Sequence, residues 1–318
     1  MVTAKYLVTG GAGFIGSHIA ETLLKRGEAV RVLDNMITGR QLNLDALQGH
    51  PGQVEIIHGD IRNMETVRAA VAGVEVVFHQ AALASVPRSI QNPVDSLETN
   101  INGTQNVLLA ACDAGVRRVV YASSSSVYGN TPTLPKHEAM PTAPMSPYAV
   151  QKLTGELLCK VFYPIYGLET VALRYFNVFG PRQDPTSEYA AVIPRFLTAL
   201  LEGKRPVVFG DGEQTRDFTF IENVVQANLL AATAPRAAGE AMNIGYGERV
   251  SLNQVLQFAG ELLGSKVEAE YRDARPGDVR DSLADISKAR ELLGYHPEVS
   301  FRQGLAKTLE ALRTAAVR

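Results

Sequence analysis

The chain has 318 residues, of which 31 are Lys or Arg and 33 are Asp or Glu, so its formal net charge is −2. A near-neutral chain without basic runs is not typical of proteins that bind nucleic acid or anionic membranes, and neither partner is expected. The two cysteines have no paired spacing and the six histidines are scattered, so we expect no disulfide framework and no metal site. No apolar run approaches the ~20 residues that cross a bilayer, and no secretory segment precedes the first predicted strand. We therefore expect a cytoplasmic protein.

A glycine-rich stretch, 9–16, joins a short apolar run to an amphipathic run that begins at Phe14. This order predicts a strand, a tight turn and a helix whose N-terminal N–H groups attract phosphate. A second predicted strand ends in Asp34, whose carboxylate is suited to the ribose hydroxyls of adenosine and repels a 2′-phosphate, which favours NAD over NADP. The glycines can be aligned in two ways, as Gly11, Gly13 and Gly16 or as Gly10, Gly13 and Gly16.

Short β-rich runs alternate with helical patterns through the first half, which predicts an α/β fold with a Rossmann-type doubly wound parallel sheet. In the second half the alternation breaks, and segments rich in Gly, Pro and Arg separate the helices, which predicts a smaller α/β substrate domain. We predict an NAD-binding domain over 1–177 and a substrate-binding domain over 178–318, from which some segments return to the first domain. The predicted strands cover residues 6–8, 29–33, 54–58, 74–79, 119–122 and 170–175, and the later helices 190–202, 222–232 and 251–263.

Ligands of such a sheet bind beyond the carboxyl ends of the strands, so the residues after each run are candidate contacts. Asp60 and Ile61 offer a carboxylate and a backbone N–H to an adenine edge, although an acid in a plain turn gives the same pattern. The small side chains of Ala81 and Ala82 allow backbone to lie against the cofactor. His79 just before them is interpreted as a satisfied strand-end histidine rather than a catalyst.

A long helical pattern over 93–114 contains Asn100 and Asn102 among apolar residues. Asparagine is unfavourable inside a helix and needs a hydrogen-bond partner there. We predict that Asn100 bonds active-site backbone, with a surface position as the alternative for either residue.

Four serines, 123–126, end the fifth predicted strand, and a helix is predicted to begin at Pro147 with Ser146 as its cap. Tyr148 and Lys152 lie four residues apart on one face of this helix, so the ammonium is expected to lower the pKa of the phenol. Such a tyrosine beside a nicotinamide, with a serine hydroxyl on the same oxygen, is suited to taking a proton from a carbinol while its hydride leaves.

These segments together resemble the extended short-chain dehydrogenases/reductases, and within them the UDP-hexose 4-epimerases, most of all those that act on UDP-N-acetylglucosamine. The resemblance covers nearly the whole chain. Besides the glycine turn, the matching segments are Asp34-Asn35, Gly59-Asp60, His79-Gln80-Ala81-Ala82, the runs 85–90 and 124–129, Tyr148 with Lys152, and the runs 174–180, 275–278 and 278–288.

The resemblance implies that Tyr148 is the acid/base, Ser124 the supporting hydroxyl and Lys152 the cation that binds the cofactor ribose. It also implies that the protein is a homodimer, paired through the helices that begin at Pro93 and Pro147. Further cofactor contacts implied by the resemblance are Phe14, Ile15, Asn35, Gln80 and Tyr175.

The two phosphates of UDP require donors, for which Asn177, Arg216 and Arg275 are candidates. The alternative for Arg216 is a surface ion pair with Asp217. The resemblance implies that Ser282 is a gate, because a small residue there leaves room for an N-acetyl group where relatives restricted to UDP-glucose and UDP-galactose have tyrosine. The other substrate contacts that it implies are Ser85, Ser125 and Ser126 at the sugar, Val192, Ile193 and Phe209 at the uracil, and Asp278 at the UDP ribose.

Related dehydratases and decarboxylases carry an acidic residue at the position of Ser126. Without a carboxylate there, oxidation at C4 has one obvious continuation, the return of the hydride to the other face, which is epimerisation. The alternative is that another acid reaches the site, such as Glu138, against which its place in the Pro-rich loop 131–144 argues. We expect NAD-dependent interconversion of UDP-N-acetylglucosamine and UDP-N-acetylgalactosamine, and of UDP-glucose and UDP-galactose. The alternatives are a UDP-glucuronate 4-epimerase or another nucleotide-sugar enzyme of this family, and a non-catalytic NAD-sensing protein.

Overall fold

The computed structural model describes residues 4–184, 191–274 and 280–316. The strands in these ranges are, in chain order, β1 (Tyr6–Thr9), β2 (Val30–Asp34), β3 (Val54–His58), β4 (Val76–His79), β5 (Arg118–Ser124), β6 (Glu169–Tyr175), β7 (Val178–Phe179), β8 (Val207–Phe209), β9 (Thr215–Arg216), β10 (Thr219–Phe220), β11 (Glu240–Ile244), β12 (Val250–Ser251) and β13 (Glu270–Arg272).

Seven of these strands form one parallel sheet in the order β11-β6-β5-β4-β1-β2-β3. The order reverses at β1, as in doubly wound dinucleotide-binding folds, so the predicted fold class is confirmed. The first six strands coincide with the predicted runs. Sequence reasoning missed β11, which comes from the second half of the chain and places Ile244 beside Tyr175 at the edge of the sheet.

The helices are α1 (Phe14–Lys25), α2 (Gln41–Asp45), α3 (Met64–Val71), α4 (Val86–Gln91), α5 (Pro93–Leu97), α6 (Thr104–Asp113), α7 (Pro147–Tyr166), α8 (Val192–Leu201), α9 (Ile221–Ala231), α10 (Leu252–Leu263), α11 (Ser287–Leu293) and α12 (Phe301–Ala316). Between α5 and α6 lies a π-helical segment, Glu98–Gly103, and Ser125–Tyr128 form a 3₁₀ turn after β5. The predicted helical run 93–114 is therefore present in three consecutive pieces.

Two layers of apolar side chains cover the two faces of the sheet. Alternate residues of a strand point to opposite faces, and in β1 Val8 packs in the layer that contains Ile19 of α1, whereas Leu7 packs in the layer that contains Val107 of α6. The strands of such a sheet are buried on both faces, which explains their continuous apolar runs. No helix in the described residues has the length and apolar character needed to span a bilayer.

The second half adds three two-stranded sheets, in which β7 pairs with β10, β8 with β13, and β9 with β12. The helices α8, α9 and α10 overlap the predicted ranges closely, whereas α11 and α12 lie outside them. The chain after β6 leads into β7, which lines a cavity together with Val192 and Ile193 of α8. The division at residue 177 stays a prediction, with β11 as a segment of the second half that lies in the first sheet.

Candidate active site

The glycine turn lies between β1 and α1 and leaves no room for side chains. Gly10 has a φ of +70°, and a Cβ on it would lie 2.7 Å from the backbone nitrogen of Ala81. A Cβ on Gly11 would meet the Val32 side chain at 2.6 Å, and one on Gly16 would overlap the Gly10 carbonyl. Since α1 begins at Phe14, directly after this turn, its N-terminal end faces a cradle shaped by the absence of side chains. This geometry fits the pyrophosphate of a dinucleotide.

Asp34 ends β2 beside the turn and is 8% exposed. Its carboxylate accepts hydrogen bonds from the backbone N–H of Ala12 at 2.9 Å and of Met36 at 2.8 Å. These bonds hold the carboxylate at the edge of the sheet, and each oxygen keeps a lone pair for a ribose hydroxyl. The position suits the predicted role in NAD binding.

Asp60 follows β3 and accepts hydrogen bonds from Asn35 and from the side chain and backbone of Arg62. Partial burial raises the pKa of Asp60, but the bonds from Arg62 and Asn35 outweigh it and lower the pKa to about 2. The hydrogen bond from the Arg62 backbone N–H to the Asp60 carboxylate is the one that an acid in a plain turn makes, which was the alternative interpretation of Asp60. The Ile61 side chain is buried against Gly103. Contacts of Asp60 and Ile61 with adenine stay predictions.

His79 is fully enclosed, with Nδ1 2.8 Å from the Thr9 hydroxyl and Nε2 3.0 Å from the Thr104 hydroxyl. Burial, together with the charge of Lys152, lowers its pKa to about 3, so it is neutral at physiological pH. This arrangement matches the interpretation of His79 as a satisfied strand-end histidine.

The segment after β4 is held by buried amides. The Gln80 side chain lies 3.1 Å from both the Tyr175 hydroxyl and the Asn228 amide oxygen, so two predicted cofactor residues are in contact. The Ala81 N–H donates to Thr9, which fixes the backbone of the 81–82 segment against β1. Asn228 on α9 was missed by sequence reasoning.

Asn100 lies in the π-helical segment and is 1% exposed. Its amide oxygen accepts from the Leu83 N–H at 2.8 Å, and its amide nitrogen donates to the Leu83 carbonyl at 3.2 Å and to Gln151 at 2.8 Å. Its contact with backbone next to the site is therefore present, whereas Asn102 is exposed. π-Helical turns are frequent at functional sites, because they re-aim a side chain within a helix.

We call Ser124, Tyr148 and Lys152 the catalytic corner. The helix α7 begins as predicted, with the Ser146 hydroxyl accepting from the Ala149 N–H at 3.2 Å. The Tyr148 phenol is hydrogen-bonded to Ser124 at the end of β5. Lys152 is 3% exposed, donates to the Ala122 carbonyl at 2.7 Å, and lies 5.9 Å from the centre of the Tyr148 ring. The structure thus brings the three predicted catalytic residues together.

The predicted lowering of the Tyr148 pKa is wrong for this structure. Burial raises the pKa of Tyr148 to about 12, and the hydrogen bond with Ser124 only partly offsets that rise. Burial also lowers the pKa of Lys152 to about 8, against the raising effect of the Glu156 charge. The spacing places the two residues on one face of the helix, but the Lys152 ammonium donates to the Ala122 carbonyl instead of the phenol. Burial also disfavours the protonated form of Lys152, which weakens its effect on the phenol.

The serines next to the corner have different surroundings. The Ser126 hydroxyl oxygen is buried and has no hydrogen-bond partner among the described residues. Ser125 is half-buried in the 3₁₀ turn. Ser85 caps α4 by accepting from the Arg88 N–H at 3.2 Å, and its own proton remains available to a ligand. Glu138 accepts from the Asn243 N–H at 2.7 Å, which fixes its carboxylate on β11.

A cavity of about 270 Å³, here called the Asn177 cavity, lies in the second half of the chain. Asn177, with a φ of +30°, donates to the Ser282 hydroxyl at 3.0 Å. The structure therefore joins the predicted gate to the predicted phosphate donor. The cavity is lined by the predicted residues Asn177, Val192, Ile193, Phe209 and Arg216, and also by Arg195, Gln214 and Phe218. The predicted contacts Arg275 and Asp278 lie outside the described residues.

The side chain of Arg216 donates to the carbonyls of Thr215 and Arg280 at 2.9 and 2.8 Å. A surface ion pair with Asp217 does not exist, because Asp217 is fully buried and accepts from backbone N–H groups of 246, 247 and 284. Sequence reasoning missed Gln214, whose buried Oε1 has no partner among the described residues. Gln214 directly precedes β9, and its position two residues before Arg216 is the signal that predicts a common face if the extended chain continues back to it.

No group of three or more His, Cys, Asp or Glu side chains in the described ranges is arranged to hold a metal ion. The polar groups that the site offers are hydroxyl, amide, guanidinium and backbone N–H groups, the Lys152 ammonium and the Asp34 carboxylate. Such groups suit an anionic, hydroxyl-rich organic ligand.

The profile of the family described as "NAD dependent epimerase/dehydratase family" matches residues 6–245. Curated relatives include a UDP-glucose 4-epimerase of Mycolicibacterium smegmatis, 40% identical over 96% of this chain and 98% of its own length. They also include a UDP-N-acetyl-alpha-D-glucosaminuronate decarboxylase of Bacillus cytotoxicus, 37% identical over 96% of this chain and 97% of its length, and a UDP-glucuronate 4-epimerase of Thermodesulfobacterium geofontis, 37% identical over 96% and 94%.

Among solved structures, the UDP-N-acetylglucosamine 4-epimerase of Methanobrevibacter ruminantium in complex with UDP-N-acetylmuramic acid superimposes with a TM-score of 0.91. It is 38% identical, and the match covers 99% of this chain and all of the other. The likeness therefore extends over both halves of the chain.

Proposed function

Because this chain belongs to the NAD-dependent epimerase/dehydratase family of extended short-chain dehydrogenases/reductases and has NAD as its cofactor, we propose that it epimerises UDP-hexoses at C4. The proposed substrates are UDP-N-acetylglucosamine and UDP-N-acetylgalactosamine, with UDP-glucose and UDP-galactose also accepted. The single observation that carries the proposal is the grouping of Tyr148 with Ser124 at the end of β5 and with the Lys152 ammonium 5.9 Å from the centre of the Tyr148 ring.

The chain supplies the cofactor site from its first half. The glycine turn and the N-terminus of α1 are suited to the pyrophosphate, Asp34 to the adenosine ribose, and Lys152 to the second ribose. When bound, NAD accepts a hydride from C4 of the sugar and returns it to the opposite face of the ring. Gln80, Tyr175 and Asn100 hold the segment at the end of β4, so that the backbone of Ala81 and Ala82 is fixed before ligands bind.

Tyr148 moves the proton. In the protein as described, its phenol is protonated at neutral pH, since burial raises the pKa to about 12. It acts as a base only after that proton has passed to solvent, and the Lys152 ammonium, 5.9 Å from the centre of the ring, supplies positive charge that favours the phenolate. Its oxygen then takes the proton of the 4-hydroxyl and later returns it, while Ser124 holds the same oxygen by a hydrogen bond.

Ser126 supports epimerisation over the related eliminations and decarboxylations. Its hydroxyl occupies the position at which those relatives carry a carboxylate, and Glu138 is held on the Asn243 N–H. A 4-keto sugar in this site therefore contacts no carboxylate from residue 126, and the step that remains is reduction of its C4 carbonyl. Return of the hydride to the opposite face of the ring gives the C4 epimer.

The Asn177 cavity is the proposed site of UDP. Asn177, Arg195, Gln214 and Arg216 provide donors and acceptors, and Val192, Phe209 and Phe218 provide apolar wall for a base. Guanidinium groups bind phosphate oxygens in pairs. The short side chain of Ser282 beside Asn177 supports the proposed space for an N-acetyl group.

The proposed enzyme is a homodimer. Large apolar side chains are exposed to solvent on two neighbouring surfaces, one on α4 and α5 and the other on α7. The helices α4 and α5 contact α7. Such a patch on a monomer marks an interaction surface, and a self-complementary one forms a two-fold dimer. The residues are Ile90, Val94 and Leu97 on one side and Leu157 and Val161 on the other, exposed by 45–67%.

Incubation of the protein with NAD and each of UDP-N-acetylglucosamine, UDP-glucose and UDP-glucuronate, followed by chromatographic identification of the sugar, tests the proposal. We expect the C4 epimers of the first two. Conversion of the glucuronate alone would replace the proposed substrates with the acid, and release of carbon dioxide would indicate a decarboxylase. Absence of turnover on all three would favour a protein that binds NAD without catalysis. Light scattering of the same sample measures its molar mass, and a mass of two chains is expected for the proposed homodimer.

A further inference from the structure

A carboxylate that was not predicted from the sequence lies behind the catalytic corner. Glu156 is on α7, four residues after Lys152, and is 6% exposed. It accepts from the Ser123 hydroxyl, from Arg174 Nε at 2.9 Å on Oε1 and from Arg174 Nη2 at 2.7 Å on Oε2. Since a buried carboxylate is costly unless it is well paired, this donor set explains how the charge is tolerated.

Both partners of Glu156 come from the strand ends that carry the site. Ser123 and Arg174 are opposite each other in the register of β5 and β6. Ser123 stands between Ala122, whose carbonyl accepts from Lys152, and Ser124, which bonds the Tyr148 phenol. One side chain of α7 thus holds the strand segment that orients two other side chains of the same helix.

We propose that Glu156 is a positioning residue, which fixes the end of β5 through Ser123 and thereby sets the places of Ser124 and of the Lys152 ammonium. Its negative charge also keeps Lys152 protonated. The expected effects of Glu156 on kcat rest on the proposed function. The effect of Glu156 on Lys152 is measured separately, through the affinity for NAD. The titratable groups that face Lys152 are Tyr148, Glu156 and Cys159 on α7, Tyr121 on β5 and His79 on β4.

The chain contains a control Arg–Glu pair on the same two strands, in which Arg118 is buried and the Glu169 side chain is 34% exposed. Arg118 and Glu169 are opposite each other at the amino ends of β5 and β6, with Arg118 Nε 2.8 Å and Nη2 2.7 Å from Glu169 Oε2. Ser124 lies six positions after Arg118 on β5, which is roughly 20 Å along an extended strand. Loss of this pair therefore reports the cost of breaking an ion pair without touching the site.

The test compares Glu156→Gln and Ser123→Ala with Glu169→Gln and the unsubstituted protein. NAD affinity and the kcat and KM for the UDP sugar are measured from pH 6 to 10. In Glu156→Gln we expect the alkaline decline of NAD affinity and of kcat to move down by about one pH unit, the size of a lost neighbouring charge. Ser123→Ala retains the charge and is expected to lower kcat about tenfold, the effect of one hydrogen bond, and to weaken NAD binding, with KM within about twofold.

Glu169→Gln is expected to lower the unfolding temperature and to leave both pH declines in place. The inference is overturned if NAD affinity and kcat of Glu156→Gln decline at the same pH as in the unsubstituted protein and Ser123→Ala keeps full kcat and NAD affinity. It is also overturned if Glu169→Gln shifts the two declines as far as Glu156→Gln does. Should Glu156→Gln fail to fold, kcat and NAD affinity of Ser123→Ala decide alone. If the unsubstituted protein epimerises no UDP sugar, the proposed function fails, and the NAD measurements still decide on Glu156.

Discussion

The catalytic corner and the Asn177 cavity are built on opposite principles. In the corner, the polar groups already bond one another, with Ser124 on Tyr148 and Lys152 on the Ala122 carbonyl. In the cavity, Gln214 keeps a buried oxygen without a partner among the described residues, between apolar walls. Groups that transfer a proton must be oriented before the substrate arrives, whereas a binding wall gains affinity from bonds that the ligand completes. The chemistry and the anchoring of the substrate are thus separable.

The largest expected effect comes from removal of the proton carrier. Tyr148→Phe should lower kcat by about 10²–10⁴-fold, as loss of acid/base catalysis does, and leave the affinity for UDP unchanged. Product analysis and calorimetric titration with UDP measure the two quantities. Tyr163→Phe, on an exposed position of the same helix, is the control and should keep full kcat. Near-normal turnover of Tyr148→Phe would remove the proposed mechanism.

A substitution in the cavity should have the converse effect. Arg216→Gln removes a charge-assisted hydrogen bond and should raise the Kd of UDP roughly 10- to 100-fold, as the loss of about 1.5–3 kcal/mol implies. The expected kcat at saturating substrate changes far less. If UDP titration gave an unchanged Kd while kcat fell, the separation of anchoring from chemistry would be wrong.

The gate tests the boundary between the two regions. Ser282→Tyr fills the space beside Asn177, and it should lower kcat/KM for the acetylated sugars about tenfold more than for UDP-glucose, roughly 1.4 kcal/mol of selective exclusion. Parallel progress curves with the two sugar classes measure that ratio. Ser282→Ala, which keeps the space, is the control. An equal loss for both classes would refute the gate.

The smallest expected effect is one of stability and concerns His79. Its pKa of about 3 in the fold is below the ordinary value of 6.5, so the unfolded chain binds the additional proton and stability falls as pH falls through 6.5. Between pH 6.5 and 5 this dependence reaches about 2 kcal/mol. His18, whose pKa burial and Arg182 lower to about 4, adds a dependence of the same sign. The contribution of His79 is therefore the difference between the unsubstituted protein and His79→Gln in chemical unfolding at both pH values, and the pH dependence of kcat should be the same in both. A kcat profile altered by His79→Gln would give the residue a catalytic role.

Local patterns in the sequence were sufficient for six of the seven strands of the sheet and for the catalytic corner. The glycine turn, the strand ends and the helix cap at Ser146 are each set by neighbouring residues, and they predicted where Tyr148 and Lys152 would meet Ser124. The strand β11 was missed because its five residues join the sheet through β6, a partner 69 positions earlier in the chain. Gln214 and Glu156 were missed for a related reason, since their surroundings come from several distant segments.

The sign of the Tyr148 pKa shift shows what spacing cannot supply. A lysine four residues away predicts a lowered value, but desolvation depends on everything that surrounds the phenol. In the fold the desolvation is larger than the effect of Ser124, and the Lys152 ammonium is directed to a carbonyl. Side-chain proximity follows from the helix period, whereas dielectric surroundings follow only from the complete fold.

The π-helical segment Glu98–Gly103 limits the kinds of mutation that this part of the gene can accept. A π-helical turn closes i→i+5 hydrogen bonds and therefore holds one residue more than an α-helical turn, so deletion of one residue within it would restore the α-helical period and turn Asn100 about 100° around the axis. Asn100 would then lose its hydrogen bonds to Leu83, even with the face that carries Val107 still on the sheet. Substitutions on the outer surface of these helices are compatible with the fold, but insertions and deletions between Pro93 and Val107 are not.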